Sequence, residues 1–394
     1  MKYYEVKLSD SGSIAVDDTI LVKEVPAAAG SRIMEGFVPP FGAEVVDRLE
    51  ASGYEISGKT CVGEFGLDLV GEFSHSKAQE GTLAGAAASL VKEGNVKAAL
   101  AVDMNGAPRR AAALAGITFL KPTYGTVSRY GVISCAASGE QIGVYGKKSA
   151  DVAEIMGVIA GHDDKDGTSL PEEKYEYTPS LEVSGKRVAV ICNLAEKSDE
   201  TVQQNIKAMS DSLKAKGVKV EEINCDLFET ANVAWQILMS AETCNNISRY
   251  DGVKFGYRSE NYKNIDELYI NTRTEGFNFL TKAVILYGSD VLSKNRYSDC
   301  YDKSLRVRRI AKDGLKKLFE QYDALLLPAM GKAAYESYDI SEAFTRVYEE
   351  SVYTAAANLT GIPALVSGGV QLMGKVFSEQ LLLSLAACTE KEGE

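Results

Sequence analysis

GTLAGAAAS at residues 81–89, followed by AALAVDMNGAPRRAAALAGITFLKPTYGTVSRYGVISCAASGEQIG at 98–143, decides how this chain folds. The first piece is rich in small residues, which is typical of a helix packed closely behind a backbone turn. In the second piece the apolar run 98–102 predicts a strand, 103–108 a turn, and the alanine-rich continuation a short helix. Such turns bring main-chain N–H groups close to a ligand, because only small residues let the backbone approach.

Composition indicates a large globular protein. With 394 residues, 45% apolar and 25% charged, the chain can bury a sizeable core. No apolar run approaches the roughly 18 residues that a membrane span needs, and the first residues do not resemble a secretory leader, so we expect a cytoplasmic protein with no membrane contact. The net charge of −12 argues against a broad phosphate-binding face and therefore against direct nucleic-acid binding.

Cysteine and histidine usage excludes several kinds of site. The seven cysteines are scattered without CxxC spacing, which predicts reduced and mostly buried thiols. The chain has only two histidines, His75 and His162. A histidine-based triad or a multi-histidine metal site is therefore not expected, and we predict neither a metal nor another cofactor.

The central stretch resembles a known family. Asp103, Gly106 and Arg109 stand where the amidase signature D-T-G-G-S-I-R-Q-P has the same residues. LKPTYGTVSRYG at 120–131 and SGEQIG at 138–143 resemble the family's GLKPTYGRVSRYG and SLDQIGP. Within the amidase signature family the chain is most similar to the A (glutaminase) subunit of the glutamyl-tRNA(Gln) amidotransferase.

The resemblance also shows which catalytic residues are missing. The family's serine nucleophile falls on Ala107, and the bridging serine that relays its proton falls on Leu83. Neither side chain has an oxygen. ILVKEVP at 20–26 resembles the strand-borne G-I-K-D-N-I motif, which implies that Lys23 is the vestigial base of the Ser–Ser–Lys relay.

Further resemblances imply substrate-binding positions. AETCNNISRYDGVKFGYR at 241–258 and TRTEGF at 272–277 resemble segments of the tRNA-dependent subunit. The resemblance places Arg308 where that subunit holds the α-carboxylate of glutamine, and Ser351 where an acid should pair with the substrate amine. Backbone amides near Asn105 and Gly106 remain candidates for an oxyanion hole, because that role needs no side chain.

The family's fold is α/β: one mixed, twisted sheet of about ten strands flanked by helices on both faces. We expect residues 1–394 to form a single domain of this kind, without the helical segment that precedes it in the family. The residues themselves predict a strand at 185–193, a helix at 200–216 and a strand at 218–223. This order implies a right-handed crossover between parallel strands.

These observations predict a pseudoenzyme that serves as a non-catalytic partner or a ligand-binding subunit. The partner expected from the resemblance is a B-subunit-like protein or a paralogous amidotransferase chain. One alternative is an active amidase or glutaminase with a substitute nucleophile, for which Thr82, Ser89 and Cys61 are candidates. Another is a binding protein for a glutamine-like small molecule, using Arg308 and the amides of 103–107.

Overall fold

The computed structural model describes residues 3–75, 85–171 and 175–390, and its centre is one mixed sheet. Eleven strands of the described residues form it, one more than the ten or so expected. They are β1 Tyr4–Lys7, β2 Ile14–Asp17, β3 Ile56–Thr60, β4 Ala98–Asp103, β5 Thr118–Lys121, β6 Gln141–Gly146, β7 Arg187–Ile191, β8 Lys219–Ile223, β9 Ala324–Pro328, β10 Ala364–Ser367 and β11 Val370–Gly374.

The strands lie in the order β1-β3-β2-β4-β6-β5-β10-β11-β9-β7-β8. β2 is parallel to both of its neighbours, β3 and β4, and β7 is parallel to β8 and β9. The remaining pairs are antiparallel. The predicted parallel pair in residues 185–223 is confirmed, because β7 and β8 lie side by side and a helix connects them.

Thirteen α-helices of the described residues cover the sheet. They are α1 Glu44–Ala51, α2 Ala86–Glu93, α3 Ala107–Ala115, α4 Ser149–Ile159, α5 Cys192–Ala195, α6 Glu200–Ala215, α7 Leu227–Asn246, α8 Ile265–Gly276, α9 Phe279–Val291, α10 Lys303–Phe319, α11 Ala343–Glu350, α12 Ala355–Thr360 and α13 Glu379–Ala387. No helix in these ranges is both long enough and apolar enough to cross a membrane.

The alternation of side chains along β7 places helices on both faces of the sheet. Val188 and Val190 belong to a core cluster that includes α6 and α13 residues, whereas Ala189 and Ile191 belong to one that includes α7 residues. Successive side chains of a strand point to opposite faces. The two clusters are therefore the two sides of one sheet, as expected for this α/β fold.

The pairing of β2 with β4 brings two strand ends together. The strands are parallel, with Ile14 opposite Ala98 and Val16 opposite Leu100. Their carboxyl ends, at Asp17 and Asp103, therefore lie at the same edge of the sheet. Residues that follow either strand can meet there, and α3 begins at that edge.

Candidate functional site

The turn between β4 and α3 is held by glycine geometry. Gly106, directly before the first residue of α3, has a φ of 87°, in the left-handed region that favours glycine. A Cβ at this position would lie 2.4 Å from the Cβ of Thr354, so no other residue fits. The Gly106 N–H donates to Asp103 Oδ1 at 3.0 Å. This amide is therefore already used inside the turn.

Arg109 ties the turn to distant parts of the chain. Its guanidinium donates to Asp103 Oδ2 at 2.7 Å, to Gln371 Oε1 at 2.7 Å and to Asn358 Oδ1 at 2.5 Å. The Asn358 amide in turn donates to Asp103 Oδ1 at 2.9 Å. The Asp103 and Arg109 side chains are fully buried. We call Asp103, Arg109, Asn358 and Gln371 the buried frame.

The electrostatics of the buried frame favour the ionised pair. Burial alone raises the pKa of Asp103, but the Arg109 charge and the hydrogen bonds from Arg109 and Asn358 outweigh it, and the pKa lies below its usual value. A charged pair can remain in the interior only when its hydrogen bonds are satisfied, as they are here. The buried frame is therefore a structural connection between α3, α12 and β11.

A small cavity lies beside Ala107. Its volume is about 40 Å³, enough for a group the size of one or two water molecules. We call it the site cavity, and its lining includes Asp17, Thr60, Cys61, Asp68, Ala107 and Tyr145. The predicted nucleophile position and the end of β2 therefore share one cavity.

Asp17 places a carboxyl group in this cavity. It accepts hydrogen bonds from the Val102 N–H at 2.8 Å and the Thr19 N–H at 2.9 Å. Burial raises its pKa, and these hydrogen bonds offset only part of the rise. The site cavity therefore has a buried carboxyl group at the carboxyl end of β2.

Lys23 does not lie where the sequence analysis expected it. Its side chain is exposed and it follows β2 rather than belonging to it. VDDTI at 16–20 begins on strand β2, and its Asp18 and Ile20 match the aspartate and the isoleucine of the K-D-N-I motif. This register aligns Asp17 with the motif's lysine. The structure thus corrects the assignment of Lys23 to the strand. The sequence contained the signal, since the motif has to meet the end of a strand.

Lys59 is the buried lysine nearest in sequence to the cavity lining, and its ammonium group already has an ion-pair partner and hydrogen-bond acceptors. Its Nζ lies 2.8 Å from Asp18 Oδ1 and donates to the carbonyl oxygens of Asp18 and Pro26 at 3.3 and 3.2 Å. Lys59 is fully buried and is not part of the cavity lining. It holds the β2–β3 region together and does not enter the site cavity.

The two predicted substrate-binding side chains lie away from the site cavity. Arg308 is half-buried and donates to Ser138 Oγ at 3.0 Å and to Ser138 O at 2.8 Å. Ser351 is buried, and its hydroxyl donates to Val347 O at 2.6 Å at the end of α11. Neither lines the cavity beside Ala107. The structure therefore does not bring Arg308, Ser351 and Ala107 together around one cavity.

Side chains of α7 pack beside the turn and beside residues 134–140, which precede β6 and which we call the Ser138 loop. Trp235 is fully buried, and a Cβ on Gly139 would lie 2.0 Å from its ring. Gln236 Nε2 donates to Asn105 Oδ1 at 3.3 Å. Trp235 was not among the residues predicted from the sequence. A signal existed, because SGEQIG has glycine where the family's SLDQIGP has leucine, and a smaller residue leaves room for a larger neighbour.

The alternative nucleophiles differ in how they are placed. Cys61 is buried in the cavity lining, and burial, reinforced by the Glu5 charge, raises the pKa of its thiol. Because the thiolate is the reactive form, this environment disfavours attack by Cys61. Ser89 donates to the Gly85 carbonyl at 2.8 Å. Thr82 and Leu83 lie outside the described residues.

Cysteine pairing and metal ligation give no further site. All seven cysteines are free, and Cys61, Cys135 and Cys388 are buried. Among residues 3–75, 85–171 and 175–390, no group of three or more His, Cys, Asp or Glu side chains is placed to hold a metal ion.

Known proteins share both the sequence pattern and the fold. The family described as Amidase matches residues 13–383. The A subunit of the glutamyl-tRNA(Gln) amidotransferase of Lachnoclostridium phytofermentans is 34% identical, over 96% of this chain and 82% of that protein. The corresponding protein of Coxiella burnetii is also 34% identical, over 96% of this chain and 83% of that protein.

Solved structures agree with these relatives. The A subunit of the glutamyl-tRNA(Gln) amidotransferase from Thermotoga maritima has a TM-score of 0.80 and 27% identity, covering 100% of this chain and 88% of that one. 6-Aminohexanoate cyclic dimer hydrolase shares the fold at a TM-score of 0.76 and 19% identity, covering 96% of this chain and 84% of that one. The chain therefore belongs to the amidase signature family and closely resembles the A subunit of glutamyl-tRNA(Gln) amidotransferases.

Proposed function

We propose that this protein is a pseudoenzyme, a relative of the amidotransferase A subunit that has no glutaminase activity and acts as a non-catalytic partner. One observation carries the proposal: Ala107, which the motif aligns with the nucleophile, and Asp17, which it aligns with the lysine, line the same cavity. Amide hydrolysis by the family's relay needs an activated hydroxyl and a base that receives its proton. Here the hydroxyl is missing and a carboxyl group replaces the amine.

The turn that remains cannot compensate for these losses. Residual catalysis without the nucleophile and its relay is roughly 10³–10⁴-fold over water in a serine protease, which is negligible for a stable amide. The Gly106 N–H is already bonded to Asp103 at 3.0 Å and is not directed at a substrate. An oxyanion hole would also have no adjacent nucleophile to serve.

The substrate-binding side supports the same conclusion. Arg308 would have to release both of its bonds to Ser138 before it could hold a carboxylate. Ser138 is itself held by Glu242, whose carboxylate accepts from the Ser138 N–H at 2.9 Å and also from its hydroxyl. A serine at 351 offers no charge to a substrate ammonium group. These contacts weaken the alternative of a glutamine-binding protein.

The alternative of an active amidase depends on a substitute nucleophile. Among the described residues, Cys61 is the alternative nucleophile that lines the site cavity. Its raised thiol pKa leaves little thiolate at neutral pH. Thr82 is still a candidate nucleophile predicted from the sequence, because it directly precedes Leu83, the predicted bridging position. Both can be tested by substitution.

A partner role explains why the fold would be kept. The relatives are named as subunits, and we propose that this chain occupies an A-subunit-like position beside a B-subunit-like or paralogous protein. Co-expression with such a protein from the same genome, followed by gel filtration, should yield a co-eluting complex. Elution of this chain alone as a monomer or homodimer would contradict the partner role.

A glutaminase assay tests the catalytic part. Wild-type protein and Ala107→Ser should release ammonia from glutamine no faster than the background, because one hydroxyl does not rebuild the relay. Ala107→Ser with Leu83→Ser restores both hydroxyls and should also stay at background, because Asp17 replaces the base. Lys23→Ala is the control and should change nothing.

The assay can overturn the proposal in a specific way. Turnover of glutamine or a simple amide by wild-type protein, abolished by Cys61→Ala or Thr82→Ala, would show an active amidase. Activity of the double-serine variant that Lys23→Ala then removes would restore Lys23 as the base and remove Asp17 from that position.

A further inference from the structure

A second and larger cavity lies at the opposite end of α3 from Ala107. Its volume is about 610 Å³, and Ala115 and Gly116 at the end of α3 belong to its lining. A nine-residue helix separates this end from Ala107 by about 13 Å. We call it the lysine cleft. It is therefore distinct from the site cavity and from every residue assigned a role above.

The lysine cleft is electropositive in a protein of net charge −12. Lys92, Lys147 and Lys148 line it, and none of their ammonium groups forms an ion pair with a described residue. Lys147 Nζ lies close to Gly94, just beyond the last turn of α2, which carries Lys92. Three positive charges therefore line one cavity, and among the described residues Glu390 is the one carboxylate in its lining.

The one acidic residue of the lining is engaged elsewhere. Glu390 Oε1 accepts hydrogen bonds from the Ser149 N–H at 2.7 Å and from the Ser149 hydroxyl at 2.6 Å. It lies at the first turn of α4, where the helix dipole favours negative charge. This carboxylate is held by α4, and the three lysines outnumber it in the lining, so the cleft can still attract an anion.

The other lining groups indicate the size and chemistry of the ligand. Asn205, Ser212 and Ser367 add an amide and two hydroxyl groups, and the lining contains no aromatic side chain on which a base could stack. The volume falls in the usual range for small-molecule sites. Lysine ammonium groups bind phosphate as point charges. These features fit a compact ligand rich in phosphate better than a nucleic acid.

We propose that the lysine cleft binds a small polyphosphate or a phosphorylated metabolite through Lys92, Lys147 and Lys148. The site is independent of the proposed pseudoenzyme character, because it shares no residue with the site cavity. A ligand there contacts the ends of α2, α3 and α13 together, so its binding should also stabilise the fold against heat.

Calorimetric titration of the full-length protein with inorganic triphosphate tests the proposal. Wild-type protein should bind with saturation at one site, more weakly at high salt. Replacing Lys92, Lys147 and Lys148 by glutamine together should weaken binding at least about tenfold, and Glu390→Gln should strengthen it by about threefold.

A matched control removes the same charge elsewhere. Lys254, Lys263 and Lys303 are exposed and lie outside the cleft, and their replacement by glutamine should change the affinity by less than about twofold. Equal losses in the two triple variants, or no saturable binding by wild-type protein, would overturn the proposal. So would binding of a short RNA with no binding of triphosphate. Melting curves of each variant confirm that it is folded.

Discussion

The buried frame and the site cavity both adjoin the turn between β4 and α3, yet they differ in how closely their residues match the family motifs. In the frame, Asp103 and Arg109 stand where the family has them, and their charges are paired in the interior. In the cavity, Ala107 and Asp17 lie together and differ from the serine and lysine that we align with them in the family motifs. Ala107 and Arg109 are only two residues apart, so the contrast is one of role and not of location.

The difference shows which interactions the fold depends on. Removing a serine hydroxyl from a cavity wall leaves the packing of the turn unchanged, whereas removing one partner of a buried ion pair leaves an unpaired charge. The catalytic positions can therefore change while the framework stays. Three substitutions test this contrast, from the frame outward.

Arg109→Met should have the largest effect. It leaves the Asp103 carboxylate buried and without its counter-ion, which we expect to lower the free energy of unfolding by about 3–5 kcal/mol. Urea denaturation monitored by circular dichroism measures this. Arg309→Met is the matched control, since it breaks an exposed ion pair with Asp313 and should change stability by less than about 1 kcal/mol. Similar small losses in both variants would mean that the frame does not support the fold.

Gly139→Ala should have an intermediate effect, and it tests how tightly α7 packs against the Ser138 loop. The added methyl group meets the Trp235 ring, and such overpacking lowers stability by about 1–3 kcal/mol. Gly157→Ala in α4 is the control, as nothing lies within 4 Å of its added Cβ, and it should raise stability by about 0.5–1 kcal/mol. If Gly139→Ala costs nothing, Trp235 is not tightly packed against the Ser138 loop.

Glu72→Gln should have the smallest effect and one that depends on pH. Burial raises the pKa of Asp68, which lines the site cavity, and the Glu72 charge adds to the rise; burial likewise raises the pKa of Glu72. Folded-state pKa values above the unfolded values of about 4 mean that stability is greatest below that pH and is lost as the pH rises through the folded values. Glu72→Gln removes one of the two charges.

The free energy of unfolding of the variant relative to wild-type protein should therefore increase from about pH 4.5 to about pH 7.5, by on the order of 1 kcal/mol. Unfolding free energies at the two pH values measure the gain. Glu50→Gln, at an exposed position, controls for the loss of one negative charge. A gain that is equal at both pH values, or one that reverses sign, would contradict a mutual effect of the two carboxyl groups.

The sequence predicted the framework well because its local patterns and its tertiary contacts agree. The strand, turn and helix at 98–115 occur as β4 and α3, and the parallel pair at 185–223 is present. That Ala107 stands at the nucleophile position stays a prediction from the residues alone. The lysine was misplaced because a short motif was aligned without a strand to anchor it.

The packing between α7 and the Ser138 loop depends on tertiary structure: Gly139 indicates room for a larger neighbour, but neither segment shows that this neighbour is Trp235. Trp235 and Gly139 are far apart in sequence, and their mutual fit depends on how α7 lies against the sheet. The same is true of Arg308, whose bonds to Ser138 join α10 to a loop that precedes β6. A side chain's residue type does not tell which distant group will bond it.

The sequence by itself determined the family and the α/β fold, because these follow from residue identity in a continuous motif, and it predicted that Ala107 stands at the nucleophile position. The tertiary structure decided that Asp17 shares the cavity with Ala107, that Lys23 lies at the surface, and that three lysines converge at the far end of α3. These facts depend on strand pairing and helix packing, which bring together groups that the linear chain keeps apart.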